Sequence, residues 1–206
     1  MSFREFDLPT LQGRFSVTTD NTQSLFPTVA PVSISSSLSS FFSTYGPLGL
    51  ASGTEKGRSE LLVAPMMGEV WARSQRQIAV YSGLEFNVDI ARGLNGICDF
   101  VLGVSKQVYF IEAPVLVAVE AKRDSIPDGL GQCGAEMVAA QRFNQNAGKP
   151  IETIYGCVTT GANWKFLRLH TQRLEIDIDE YSINQPDRIL GVLLHCCGVK
   201  LLGASK

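Results

Sequence analysis

The sequence predicts an α/β domain with a central sheet and helices on both faces. Three observations carry this expectation. Apolar residues recur with helical spacing before, between and after runs of β-branched residues. Three strand-like runs follow one another across short turn signals, which favours antiparallel neighbours. The run Ala113 to Val119 is too continuous in its apolar character for a sheet wetted on one side, so both faces should be covered.

Residues up to about Val32 are polar, proline-bearing and without a clear period, and are expected to form an extended arm or short strands on the core. Leu38, Phe41, Phe42 and Tyr45 recur at i, i+3, i+4 and i+7, which predicts a helix with an aromatic core face, ending at Gly46-Pro47. Ser52-Gly53-Thr54-Glu55 fits a capping box that opens a second helix, with Leu61, Leu62, Met66 and Val70 on one side and a kink at Pro65. Strands are then expected at about 78–90, 96–105 and 109–122, turning at Gly93-Leu94-Asn95-Gly96 and Ser105-Lys106-Gln107. After Pro127-Asp128-Gly129 a helix places Leu130, Cys133, Met137 and Val138 on one face and Gln132 and Glu136 together on another. Gly129, Gly131 and Gly134 are poor helix formers, and close packing against a neighbour accounts for them better than approach of a phosphate. A hairpin is predicted for 153–159 and 164–169 across Thr160-Gly161-Ala162-Asn163, and a closing helix for 189–197 after Pro186.

At 206 residues and 45% apolar composition the chain can bury a sizeable core but is short for two full domains. One globular domain is expected, with residues 1–50 as an N-terminal arm and helix packing on a unit spanning 51–206. The net charge of -2 argues against a uniformly basic nucleic-acid binder. A local basic rim could still come from Arg73, Arg76, Arg123, Arg142, Lys165 and Arg168. Five cysteines, with no CxxC pair and no metal spacing to His170 or His195, read as reduced thiols in a cytoplasmic protein. No apolar run approaches the roughly 20 residues that span a bilayer, so no membrane association is expected.

Chemistry concentrates in the middle of the chain. Asp99 is a single carboxylate within the strand Ile97 to Leu102, and an ionised carboxylate there needs a partner, backbone hydrogen bonds or a metal. Glu120 and Lys122 end the next apolar run. Strand alternation points them the same way and Ala121 the other. Mg²⁺ keeps several waters and takes one or two protein carboxylates plus phosphate oxygens, a role open to Asp99 and Glu120. The alternative is a structural Glu120–Lys122 ion pair with Asp99 accepting backbone bonds.

Glu60, then Asp99, then Glu120-Ala121-Lys122, then Gln132-Cys133-Gly134-Ala135-Glu136 resemble, in order and spacing, the PD-(D/E)xK nuclease superfamily, the restriction-endonuclease-like fold. The likeness runs from about Thr54 to Leu169, with Cys98-Asp99 standing where the family's name has proline and aspartate. It implies an Mg²⁺-dependent endonuclease, with Mn²⁺ as substitute, acting on nucleic acid, DNA above all. Asp99, Glu120 and the Ala121 carbonyl would hold the metal. Lys122 would act on water and phosphate, Gln132 would orient the water or contact phosphate, and Glu60 would support the acidic cluster or a second ion. A homodimer is compatible with this assignment. Two other readings stay open: a catalytically silent module of this fold that binds nucleic acid or a protein partner, and a hydrolase of a small phosphorylated molecule.

Overall fold

The computed structural model describes residues 1–199, so residues 200–206 of the expected 51–206 unit lie outside the described residues. The N-terminal segment is more ordered than its lack of periodicity suggested. It forms a helix α1 (Leu8–Phe15), whose N-cap Asp7 accepts a 2.8 Å hydrogen bond from the Thr10 amide, and a short strand β1 (Thr18–Asp20). Phe3, Phe6 and Leu11 are buried, so the segment packs on the core as expected, with helix α1 as the unforeseen part.

Helix α2 (Ser36–Ala51) runs past the predicted stop at Gly46-Pro47. Pro47 removes one amide on an exposed face, where the Ser43 carbonyl can turn to water. The buried Gly49 sits so close to Leu62 that a Cβ would come within 2.9 Å of it, and this contact fastens the last turn. The aromatic stripe is only partly core: Leu38 is buried, Phe41 and Phe42 are half-buried and Tyr45 is exposed.

The predicted second helix is three pieces. In α3 (Glu55–Arg58) the N-cap is Thr54, which accepts from the Gly57 amide at 3.1 Å, while Ser52 closes α2. A π-helical turn follows over Ser59–Val63, and the Ala64 amide bonds to the Ser59 carbonyl five residues back. Helix α4 (Ala64–Arg73) starts there, with Pro65 in its first turn. The widened turn therefore accommodates the missing proline amide at the junction where a kink was expected.

The three-strand meander is present as β2 (Ile78–Glu85), β3 (Ile97–Val104) and β4 (Val115–Ala121). Strand β4 begins later than predicted because Pro114 has no amide for the ladder. Tyr109 and Phe110 lie exposed in the preceding loop, their amides bonded to the Gln107 side chain. Helix α5 (Pro127–Asn146) then crosses to β5 (Thr153–Thr159), which runs parallel to β4. The chain closes with β6 (Asn163–His170), β7 (Arg173–Ile176), β8 (Tyr181–Ser182) and α6 (Pro186–Cys196).

One mixed sheet results, ordered β1-β7-β6-β5-β4-β3-β2, with β8 beside β6. Helices cover both faces. Leu11, Cys133, Met137 and Ala140 of α1 and α5 pack with Val101, Ala118 and Leu167 on one side. Met66, Val70, Leu190 and Leu193 of α4 and α6 pack with Phe100, Val117, Val119 and Phe166 on the other. Among the described residues no helix is long and apolar enough to cross a membrane.

Candidate active site

Strands β3 and β4 pair as far as Phe100 and Val119, then part. Asp99 and Glu120 come next in that register, and opposed residues of an antiparallel pair share a face. Val101 and Ala118, two positions back on the two strands, face α5. Alternation therefore brings Asp99, Glu120 and Lys122 out on the α5 side.

At the parting point Asp99 Oδ2 accepts the Ala121 amide at 2.7 Å. The N–H and C=O of one extended residue point to the same edge, so the Ala121 carbonyl also faces β3. Lys122 Nζ lies 2.5 Å from Glu120 Oε1 and donates to Gln132 Oε1 at 3.0 Å. Gln132 Nε2 in turn donates to Glu136 Oε1 at 3.2 Å. Lys122 can lie along the first turn of α5 because Gly129 is there: a Cβ at that position would stand 3.2 Å from Lys122 Cγ and 2.6 Å from Val158. Gly131 and Gly134 serve packing too, against the Asp7 backbone and Leu11.

Glu120, Gln132 and Glu136 are buried, and Lys122 is mostly so. Among the described residues, Oε2 of Glu120 and Oε2 of Glu136 are enclosed without a well-formed hydrogen bond to any group. Burial, then the charge of Asp99, push Glu120 up to about 7, against the pull of Lys122 and of a loose contact with Glu136. Burial, then the charge of Glu120, hold Glu136 well above the usual carboxylate range. For Lys122, burial works downward but Glu120 outweighs it, aided at longer range by Glu55 and Asp99, and the ammonium is held above its ordinary value. The site thus carries a cation held above its ordinary value beside two buried carboxyls, Glu120 and Glu136, that burial and neighbouring carboxylate charge push toward the protonated form.

The remaining sequence candidates lie apart from this network. Glu60 is exposed and pairs with Lys56 at 2.9 Å. The helical acid whose charge reaches Lys122 is Glu55, which the sequence had suggested only as part of a cap. Glu136 was visible as the i+4 neighbour of Gln132, but nothing in the spacing revealed that it would be wholly enclosed beside Glu120. The expected basic rim is already engaged: Arg73 with Glu69, Arg123 with Asp124, Arg142 with Asp89, Arg168 with Glu175, Lys165 with the Ile178 carbonyl, and Arg76 over Trp71. Burial pushes the Cys98 and Cys133 thiols up, which removes them as nucleophiles.

Among the described residues no three His, Cys, Asp or Glu side chains group closely enough to hold a metal on their own. Asp99, Glu120 and the Ala121 carbonyl form a smaller set of hard oxygens, and the enclosed Glu120 Oε2 lacks the partner that a cation would provide. That set fits Mg²⁺, which completes its shell with water and substrate oxygens. No protein-family model, curated protein or solved structure matches this chain.

Proposed function

We propose that this chain is a metal-dependent nuclease of the restriction-endonuclease-like kind, hydrolysing phosphodiester bonds in DNA. One observation carries the reading: Asp99, Glu120 and Lys122 emerge on one face where β3 and β4 part, with a Glu120 oxygen enclosed and unsatisfied. An ion pair built only for stability would have its second carboxylate oxygen bonded or wet.

Asp99, Glu120 and the Ala121 carbonyl would hold Mg²⁺ or Mn²⁺, which supplies positive charge against the anionic phosphate and makes water a better nucleophile. Lys122 holds its proton firmly and places a point charge beside the reacting phosphate, offsetting the charge that builds on its oxygens. Gln132 fixes that ammonium from the α5 side. Exclusion of water around Glu120 strengthens each of these interactions. A part for Glu60 in holding a second ion requires it to leave Lys56.

The engaged cations favour a second reading, a silent module of the same fold that binds a protein partner, because the six residues of the expected basic rim already have partners within the chain. Cleavage assays over single- and double-stranded DNA and RNA, with Mg²⁺, Mn²⁺ or chelator, separate the two. The nuclease reading expects DNA cleavage that chelator and Lys122→Ala both abolish. Absence of cleavage on every substrate with either metal would favour the silent module.

A further inference from the structure

We propose that Glu136 is a positioning residue that fixes Lys122 through Gln132; its consequence for cleavage rests on the nuclease reading above, but its geometry does not. A glutamine amide has one accepting end and one donating end of nearly the same shape. Lys122 has only donors, so Gln132 must present Oε1 to it, and Nε2 must then meet an acceptor. Glu136 Oε1 is that acceptor, at 3.2 Å. Gln132 is 4% exposed and Glu136 0%, so water is not at hand to replace it. The opposite amide orientation would set donor against donor at Lys122.

A lysine has considerable rotamer freedom to lose, and a single acceptor restrains an ammonium only loosely. Here Nζ is held from two directions, by Glu120 on β4 and by Gln132 on α5. Gly129 leaves room for the stem beneath it. A carboxyl at Glu136, among Ala135, Met137 and Ala139, is a costly way to fill a helix face if packing were its only purpose. Its direct contacts are to site residues, which is why the role is one of positioning.

The test uses the whole chain without metal. Glu136→Gln keeps an acceptor oxygen, Glu136→Leu removes it, and Gln132→Met removes the link while leaving Glu136. Nitrogen-15 NMR follows the Lys122 ammonium and the Gln132 side-chain amide, with the backbone amide spectrum reporting the fold. Slowly exchanging signals for both groups are expected in the wild type and in Glu136→Gln. Loss of the Lys122 signal is expected in Glu136→Leu and Gln132→Met. A Lys122 signal that stays protected in either of these two, or one lost in Glu136→Gln, overturns the proposal, and Glu136→Met, which also lacks the acceptor oxygen but keeps the shape of the side chain, decides if Glu136→Leu does not fold. In cleavage assays Glu136→Leu should lower kcat about tenfold, the scale of one hydrogen bond, with KM unchanged and Glu136→Gln restoring the rate. If the NMR outcome holds but the wild type cleaves nothing, the positioning stands and the nuclease reading fails.

Discussion

Asp99 takes the place of a strand partner for Ala121: its Oδ2 accepts the Ala121 amide at 2.7 Å, just beyond Phe100 and Val119, the last paired residues of β3 and β4. The same carboxylate that ends the ladder therefore stands beside Glu120, close enough to raise its pKa. Structural and chemical roles are joined in one side chain, and the two can be separated by choice of substitution.

Asp99→Ala leaves the amide of Ala121, a residue 2% exposed, without its acceptor, and should destabilise the fold by about 1.5–3 kcal/mol. Asp99→Asn keeps an acceptor oxygen and should cost under half of that. Both lose the carboxylate charge, so both should lose Mn²⁺ binding in calorimetric titration. Denaturant unfolding of the two variants checks the first part. Wild-type Mn²⁺ affinity in Asp99→Asn would remove Asp99 from the proposed ligand set.

Stability should fall as pH rises through neutrality. Glu120 moves from an ordinary 4.5 to about 7 on folding, so the native state holds the proton more tightly than the unfolded chain. Its contribution is complete below 4.5 and is lost as pH rises through 7. At about 1.4 kcal/mol per unit the loss is of order 3 kcal/mol, or roughly 2–4 °C of Tm for each kcal/mol. Glu136, shifted the same way, extends the decline upward. Glu69 behaves oppositely: burial raises it, but Ser35 and Arg73 pull it lower still, so its contribution is lost only as pH falls below 4.5. Millimolar Mn²⁺ should restore Tm at pH 8 and do little at pH 5, where protons compete for the same oxygens. Saturation at a hundred times Kd adds about 2.7 kcal/mol. A Tm that is flat across this range in chelator would show that the acids are not strained.

Legibility in the sequence followed the range of the interactions. The meander, the 153–170 hairpin and the helix after Pro127 rest on local periodicity and turn residues, and all are present. Strand alternation placed Glu120 and Lys122 on one face, whereas the approach of Asp99 and Gln132 to them was expected only from the order of elements in the family resemblance. What local pattern could not supply were the long-range contacts. Gly49 packing on Leu62 carried α2 beyond Pro47, the π-helical turn absorbed Pro65, and the burial of Phe3, Phe6 and Leu11 ordered a segment with no period of its own. Glu60 and Glu55 illustrate the same limit, since which helical acid has its charge near Lys122 is set by tertiary packing that spacing along the chain does not show.

Glu60→Ala should therefore be nearly silent. Among the described residues it pairs with Lys56, both are largely exposed, and such pairs contribute at most a few tenths of a kcal/mol. Unfolding midpoints and cleavage rates close to wild type are expected. A loss of cleavage tenfold or greater would mean that the helix reorients on binding substrate and brings Glu60 in.

Lys122→Ala should separate metal binding from turnover, and the pH at which it is measured decides the sign of its effect on affinity. Lys122 is proposed to act on water and phosphate without touching the ion, so the variant should keep Mn²⁺ and lose cleavage. Removing a cation beside Glu120 takes away a repulsion toward the metal, which alone would tighten binding. The same ammonium, however, holds Glu120 lower than burial and Asp99 would leave it. Without it the carboxyl moves up from about 7, and protons compete harder for the oxygen the ion needs. Calorimetry should accordingly find Mn²⁺ bound more tightly than in the wild type near pH 8.5, with the gain shrinking or reversing near pH 6.5. Cleavage by Lys122→Ala at the wild-type rate would return Glu120 and Lys122 to a structural ion pair, whatever the titrations show.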